Sequence, residues 1–203
     1  IQEMRKHQKN IARGRKVKYW DYGRQGSQIT IHLQDILKEL EVYLPLVVKS
    51  RLAVGHGGWL GELRRVSVMF VSLPDITRET PVQKEQKIIE SLQQVVTGHG
   101  GVINKLSVDE KGVCALVVMG LPPQVFVDSS LRIVRAALSL MEHFQANDYR
   151  CSIGITSGKV FCGVVGSSSR REYTVVGDAV NLAARLMVAA KGCLLYTSPS
   201  PRD

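Results

Sequence analysis

Asn181 and Arg185 stand four residues apart in the run from Arg171 to Met187, a spacing that puts both on one face of a helix. Val180, Ala183, Ala184 and Met187 supply the apolar stripe such a helix needs. Before it, Tyr173 to Val176 reads as a short extended run, Gly177 as a turn, and Asp178 as the candidate N-cap that opens the helix. An amide beside a guanidinium suits a ribose and a phosphoryl group, because the guanidinium fork matches phosphate oxygens. An isolated Asn/Arg pair is equally at home on the solvated flank of an amphipathic helix, so the run from Tyr173 to Arg185 has to be explained as a whole.

The elements that must position this run follow from hydrophobic period. Within Ile29 to Leu52, Leu33, Ile36, Leu37, Leu40, Tyr43 and Leu44 predict an amphipathic helix stopped near Pro45. His56, among the glycines at 55–58, reads as a turn residue. Arg65 to Leu73 predicts a buried strand, residues 80–97 a helix closed at Gly98, and Val102 to Val108 a strand. Residues 109–112 predict a hairpin turn, Val113 to Met119 its return strand, and Ser129 to Ala146 a second helix. Cys151 to Thr156 and Val160 to Val165 read as two strands joined by a tight turn at Ser157-Gly158-Lys159. This succession predicts an α+β fold, ferredoxin-like, with a mainly antiparallel sheet and helices on one face.

Composition narrows the function classes. A hydrophobic share of 44% and a charged share of 22% over 203 residues describe a globular chain with a real core. The apolar runs are strand-sized, which predicts no membrane span and, with no secretory leader, a cytoplasmic protein. Cys114, Cys151, Cys162 and Cys193 lack metal spacing, and the first three read as buried thiols. Of the net charge of +9, residues 1–28 hold +6, from eight Lys/Arg against Glu3 and Asp21. The excess therefore reads as a basic, disordered linker over 1–28 with no nucleic acid as partner. A helical connector over 29–65 and the folded domain over 66–192 follow. Residues 193–203 resemble a non-native read-through tail and are set aside, which leaves the domain truncated at the C-terminus.

Four stretches in this order resemble class III nucleotide cyclases over residues 62–192. They are Trp59 to Val71, Gly100-Gly101-Val102-Ile103-Asn104-Lys105, Ile153 to Gly166, and Glu172 to Arg185. Within the family they are most similar to the second catalytic half of the soluble, bicarbonate-responsive adenylyl cyclases. The resemblance implies two homologous halves with one active site between them. There the ribose 3′-hydroxyl of ATP attacks the α-phosphorus, giving cyclic AMP and pyrophosphate.

By the same resemblance Lys105 contacts adenine and Thr174 reads the purine edge with it. Asn181 orients the ribose, and Arg185 stabilises charge on the α-phosphoryl group. These four are expected to converge at one edge of the sheet. A lysine only donates and adenine N1 only accepts, so the pairing fits. The family's metal-bearing half places an Asp where this chain has Ser72, a poor Mg²⁺ anchor without a carboxylate beside it. Asp109 then reads as a hairpin carboxylate and Asp75 as a turn residue after Pro74, and Arg170 and Arg171 as a solvated loop. The resemblance thus implies Mg²⁺ or Mn²⁺ held by a complementary metal-bearing half, in the same full-length chain, and no metal ligand here. The alternatives are an inert cyclase-homology half that only dimerises or regulates, and a ferredoxin-like RNA-binding module. The latter is disfavoured by an aromatic content of 6%.

Overall fold

Short runs of β-branched and aromatic residues set the strands of this chain, and two of them lie where no strand is expected. In a computed structural model, the described residues are 17–20, 28–31, 44, 46–53, 61–109, 112–167, 171–190 and 195–197. The chain divides into two compact units, residues 1–49 and 50–203, rather than at residues 28 and 65. In the first, β1 (Val17–Trp20) pairs antiparallel with β2 (Gln28–Ile31), Val17 opposite Ile31 and Trp20 opposite Gln28. This departs from the unstructured linker expected over 1–28. Val-Lys-Tyr-Trp and Gln-Ile-Thr-Ile favour pleated backbone. The expected helix, from Leu33 to Tyr43, lies outside the described residues. Helix α1 (Leu46–Ala53) starts directly after Pro45 instead of ending there, in keeping with proline's preference for helix starts.

The second unit runs β3 (Glu62–Leu73), α2 (Val82–Gly98), β4 (Val102–Asp109), β5 (Gly112–Met119), α3 (Ser129–Ala146), β6 (Ser152–Gly166), β7 (Arg171–Val176), α4 (Asp178–Ala189) and β8 (Leu195–Thr197). The strand path is β4-β5-β3-β6-β7, antiparallel throughout, with β8 parallel to β6. The segment from β3 to β6 is the split βαβ pattern of a ferredoxin-like fold, as the sequence predicts. β8 falls in the tail set aside as non-native, yet aligns Leu195–Thr197 with Ile153–Ile155.

One sheet face carries the main core. Met69, Val71 and Leu73 of β3, with Val117 of β5 and Ile153 and Ile155 of β6, pack beneath Ile88, Leu92 and Val96 of α2 and Ile133, Leu140 and Phe144 of α3. Each of these side chains is nearly or fully buried, the chief stabilising contribution of the fold. At the N-terminal end of α3, the hydroxyls of Ser67, Ser130 and Ser157 bond to one another at 2.8–3.2 Å and tie that helix to β3 and β6. Helices α2 and α3 share this face, whereas α4 crosses the other one. There Thr156 donates to the Ala179 carbonyl at 2.7 Å, and Gly154 lies directly under the α4 backbone.

The tight turn expected at Ser157-Gly158-Lys159 does not form. β6 is one strand, and its register with β3 runs unbroken from Ser152 opposite Ser72 to Cys162 opposite Glu62. Gly158 is there for a different reason: a Cβ would sit 2.9 Å from that of Ala179 in α4. Cys151 and Cys162 are buried thiols and Cys114 is half-buried. Among the described residues no helix is long and apolar enough to cross a membrane.

Candidate active site

The candidate site begins with an irregularity in β4. Ile103 pairs with Val117 and Lys105 with Leu116, so Asn104 is an extra residue bulged out of the ladder. A bulge re-aims its side chain and sharpens local twist. Here it turns the Asn104 amide onto β7, the strand at the far end of the path. Asn104 Nδ2 donates to the Tyr173 carbonyl at 3.1 Å, and the Thr174 hydroxyl donates to Asn104 Oδ1 at a long 3.4 Å. Beside them Lys105 Nζ stands 3.8 Å from Glu172 Oε1, both side chains about half exposed. Lys105 on β4 and Thr174 on β7, 69 positions apart in the chain, each lie beside this contact, Lys105 through Glu172 and Thr174 through Asn104.

The second pair is placed by α4. Gly177, not Asp178, takes the N-cap position, and Asp178 is the first helical residue, because the Gly177 carbonyl accepts from Val180 N and Asn181 N. Ala183 and Met187 are buried against the sheet, which leaves Asn181 and Arg185 exposed, one turn apart, on the side of α4 that faces away from it. Lys105 and Thr174 thus lie at the β4–β7 contact, and Asn181 and Arg185 form a second pair on α4, after the Gly177 turn. Among the described residues no hydrogen bond or ion pair links one pair to the other.

The positions weighed as metal ligands are engaged elsewhere or lack the chemistry. Ser72 lies opposite Cys114 on β5 and Ser152 on β6, with no carboxylate as a cross-strand neighbour. Asp75 is clamped to Arg150, accepting from its backbone N at 2.7 Å and from its guanidinium at 2.6 and 2.8 Å. The side chain of Asp109 lies outside the described residues. Among those described, no group of three or more His, Cys, Asp and Glu is arranged to hold an ion.

Two residues that position the site are not among those expected from sequence: Asn104 and Glu172. Asn104 sits inside a quoted motif, and an Asn in an apolar strand is unfavourable enough to flag a bulge. Glu172 gives no comparable signal, since its partner lies on a distant strand.

Residues 61–199 match the catalytic domain of adenylate and guanylate cyclases. Adenylate cyclase type 10 of Rattus norvegicus is 37% identical over 151 residues, covering 70% of this chain and 9% of that protein. The human type 10 enzyme is 36% identical over 150 residues, with the same coverage. The chain therefore spans about a tenth of the length of these relatives. Among solved structures, a bacterial light-regulated adenylyl cyclase superposes with a TM-score of 0.64 at 21% identity, over 77% of this chain and 50% of its own. CyaB of P. aeruginosa gives 0.60 at 19% identity, over 68% and 79%, and shares the fold. The guanylyl cyclase Cya2 gives 0.52 at 25% identity, over 68% and 76%. With the motifs of β4, β6, β7 and α4 held on a ferredoxin-like sheet, and the domain match running through all of them, this chain belongs to the adenylate and guanylate cyclase catalytic domain family, the class III nucleotide cyclases.

Proposed function

We propose that this chain is the second, substrate-recognising half of an adenylyl cyclase, working at an interface with a metal-bearing half to convert ATP to cyclic AMP and pyrophosphate. The observation that supports this reading is the contact of β4 with β7, where Asn104 bonds Thr174 and its neighbour Lys105 faces Glu172. In it Lys105 donates to adenine N1 and Thr174 reads the adjoining exocyclic group. Asn181 orients the ribose so that its 3′-hydroxyl lies in line with the α-phosphorus. Arg185, exposed and without an acidic partner among the described residues, offers its donors to the charge that builds on the α-phosphoryl oxygens. Magnesium or manganese belongs to the partner half, since Ser72 leaves no carboxylate here to hold it.

Mixing this chain with a metal-bearing cyclase half and measuring cyclic AMP tests the proposal. Arg185→Ala is expected to lower kcat by about a hundredfold or more, the usual loss for a donor aimed at developing charge. Normal turnover by that variant would remove Arg185 from the reaction. The reading as an inert dimerising half draws on the gap between the two residue pairs. ATP binding by the assembled pair decides between the two. RNA recognition is disfavoured because α4 covers the sheet face opposite α2 and α3, where such modules stack bases.

A further inference from the structure

We infer that Asn104 determines the choice of base at this site by fixing which way the Thr174 hydroxyl points its proton. The inference rests on the nucleotide-binding reading of Lys105 and Thr174 and assigns a role to a residue one step removed from the base.

The Tyr173 carbonyl on β7 can only accept, and the group facing it at 3.1 Å is the Asn104 amide. Only the amide nitrogen can satisfy it, so the amide cannot be flipped without setting two oxygens against each other. Its oxygen must then face Thr174, where Oγ1 lies 3.4 Å away. That oxygen also only accepts, so the threonine hydroxyl has to donate to it. With its one proton committed, Thr174 meets a ligand with lone pairs alone.

Polarity is thereby relayed from an invariant carbonyl, through the amide, to the hydroxyl. The site presents a donor at Lys105 beside an acceptor at Thr174. Adenine offers the complement along its edge, an accepting N1 beside a donating N6 amino group. Guanine offers the opposite, a donating N1 beside an accepting O6. A threonine free to rotate its hydroxyl would donate to O6 and give up its share of the distinction, leaving Lys105 alone to oppose guanine N1. The bulge at Asn104 is what makes the relay possible, because a residue in regular register would not be the odd one out between Ile103 and Lys105. Asn104 is a positioning residue in this scheme, acting through Thr174.

The test uses the chain assembled with a metal-bearing half, with ATP and GTP as the probes. The ratio of kcat/KM for ATP over GTP is measured for the wild type, Asn104→Leu, Thr174→Val and the double variant. Asn104→Leu is expected to lower the ratio about tenfold, the worth of one hydrogen bond of fixed polarity. The fall should come mainly through improved use of GTP. In the Thr174→Val background the same substitution is expected to leave the ratio unchanged, because no hydroxyl remains to orient. Asn104→Ala serves the same comparison if the leucine variant does not fold. An unchanged ratio, or an equal change with and without the Thr174 hydroxyl, would overturn the inference while leaving the cyclase reading intact. Absence of nucleotide use by the wild-type assembly would overturn both.

Discussion

Ser72 and Asp75 close β3 three residues apart, and only the second is ionised. Asp75 joins the turn after β3 to Arg150, just ahead of β6, through three hydrogen bonds. Burial alone pushes its carboxyl up, but the Arg150 backbone N–H, the Arg150 guanidinium and the charge of Lys84 together bring it below its ordinary 3.8. A folded-state pKa below the unfolded one means stabilisation that is complete above the unfolded value and lost as pH falls through the folded one. Asp75→Asn is therefore expected to cost about 1 kcal/mol at neutral pH, a modest figure because the Arg150 side chain is 69% exposed and screened by solvent. The gap between the wild-type and Asp75→Asn melting temperatures should narrow as pH falls below about 4; a constant gap would show that the charge is not what matters. The sequence shows Asp75 only as a turn carboxylate, since its partner lies 75 residues away and no local spacing announces it. Lys105, Thr174, Asn181 and Arg185 are legible because the family resemblance gives each a role, whereas Asn104 and Glu172, in the same stretches, gain partners only once β4 touches β7.

At the scale of elements, glycine divides what is legible from what is not. Helix α3 occupies Ser129 to Ala146, the bounds its apolar stripe predicts, because a period of 3.6 over five turns has no competing explanation. β6 reads as two strands because Ser157-Gly158-Lys159 has the composition of a turn. A glycine that admits a neighbouring helix has the same letter as one that reverses the chain, and only the partner tells them apart. Gly154, four residues earlier on the same face, shows the constraint more severely. A Cβ there would collide with the Ala183 carbonyl oxygen and the Met187 nitrogen, which are backbone atoms that no rotamer change can move aside. Gly154→Ala is expected to lift α4 from the sheet and destabilise the fold by about 3 kcal/mol, at the upper end for overpacking. Displacing α4 also moves Asn181 and Arg185, so nucleotide binding by the assembled pair should weaken in the same variant. A wild-type melting temperature for Gly154→Ala would mean that α4 is not seated as closely as this.

At the scale of the whole molecule, the exposed apolar residues and the missing carboxylate point the same way. Leu106 and Val108 on β4, Val176 at the end of β7 and Leu182 on α4 are exposed, around the elements that hold the proposed nucleotide contacts. A second half would cover them. In the function proposed above that half also brings the ions, since Ser72 lies among hydroxyl and thiol neighbours and Asp75 is bonded to Arg150. An ion bound only by the folded state stabilises it by about 2.7 kcal/mol at a hundred times its dissociation constant, which would raise a melting temperature by several degrees. Millimolar Mn²⁺ is therefore expected to leave the melting of this chain by itself unchanged, while chelation abolishes cyclic AMP formation by the assembled pair. A rise of several degrees for this chain without its partner would place an ion on it and overturn the division of labour between halves. Chelation without effect on the assembled pair would instead take the ions out of the reaction, leaving the recognition assigned to Lys105 and Thr174 to be judged by nucleotide binding alone.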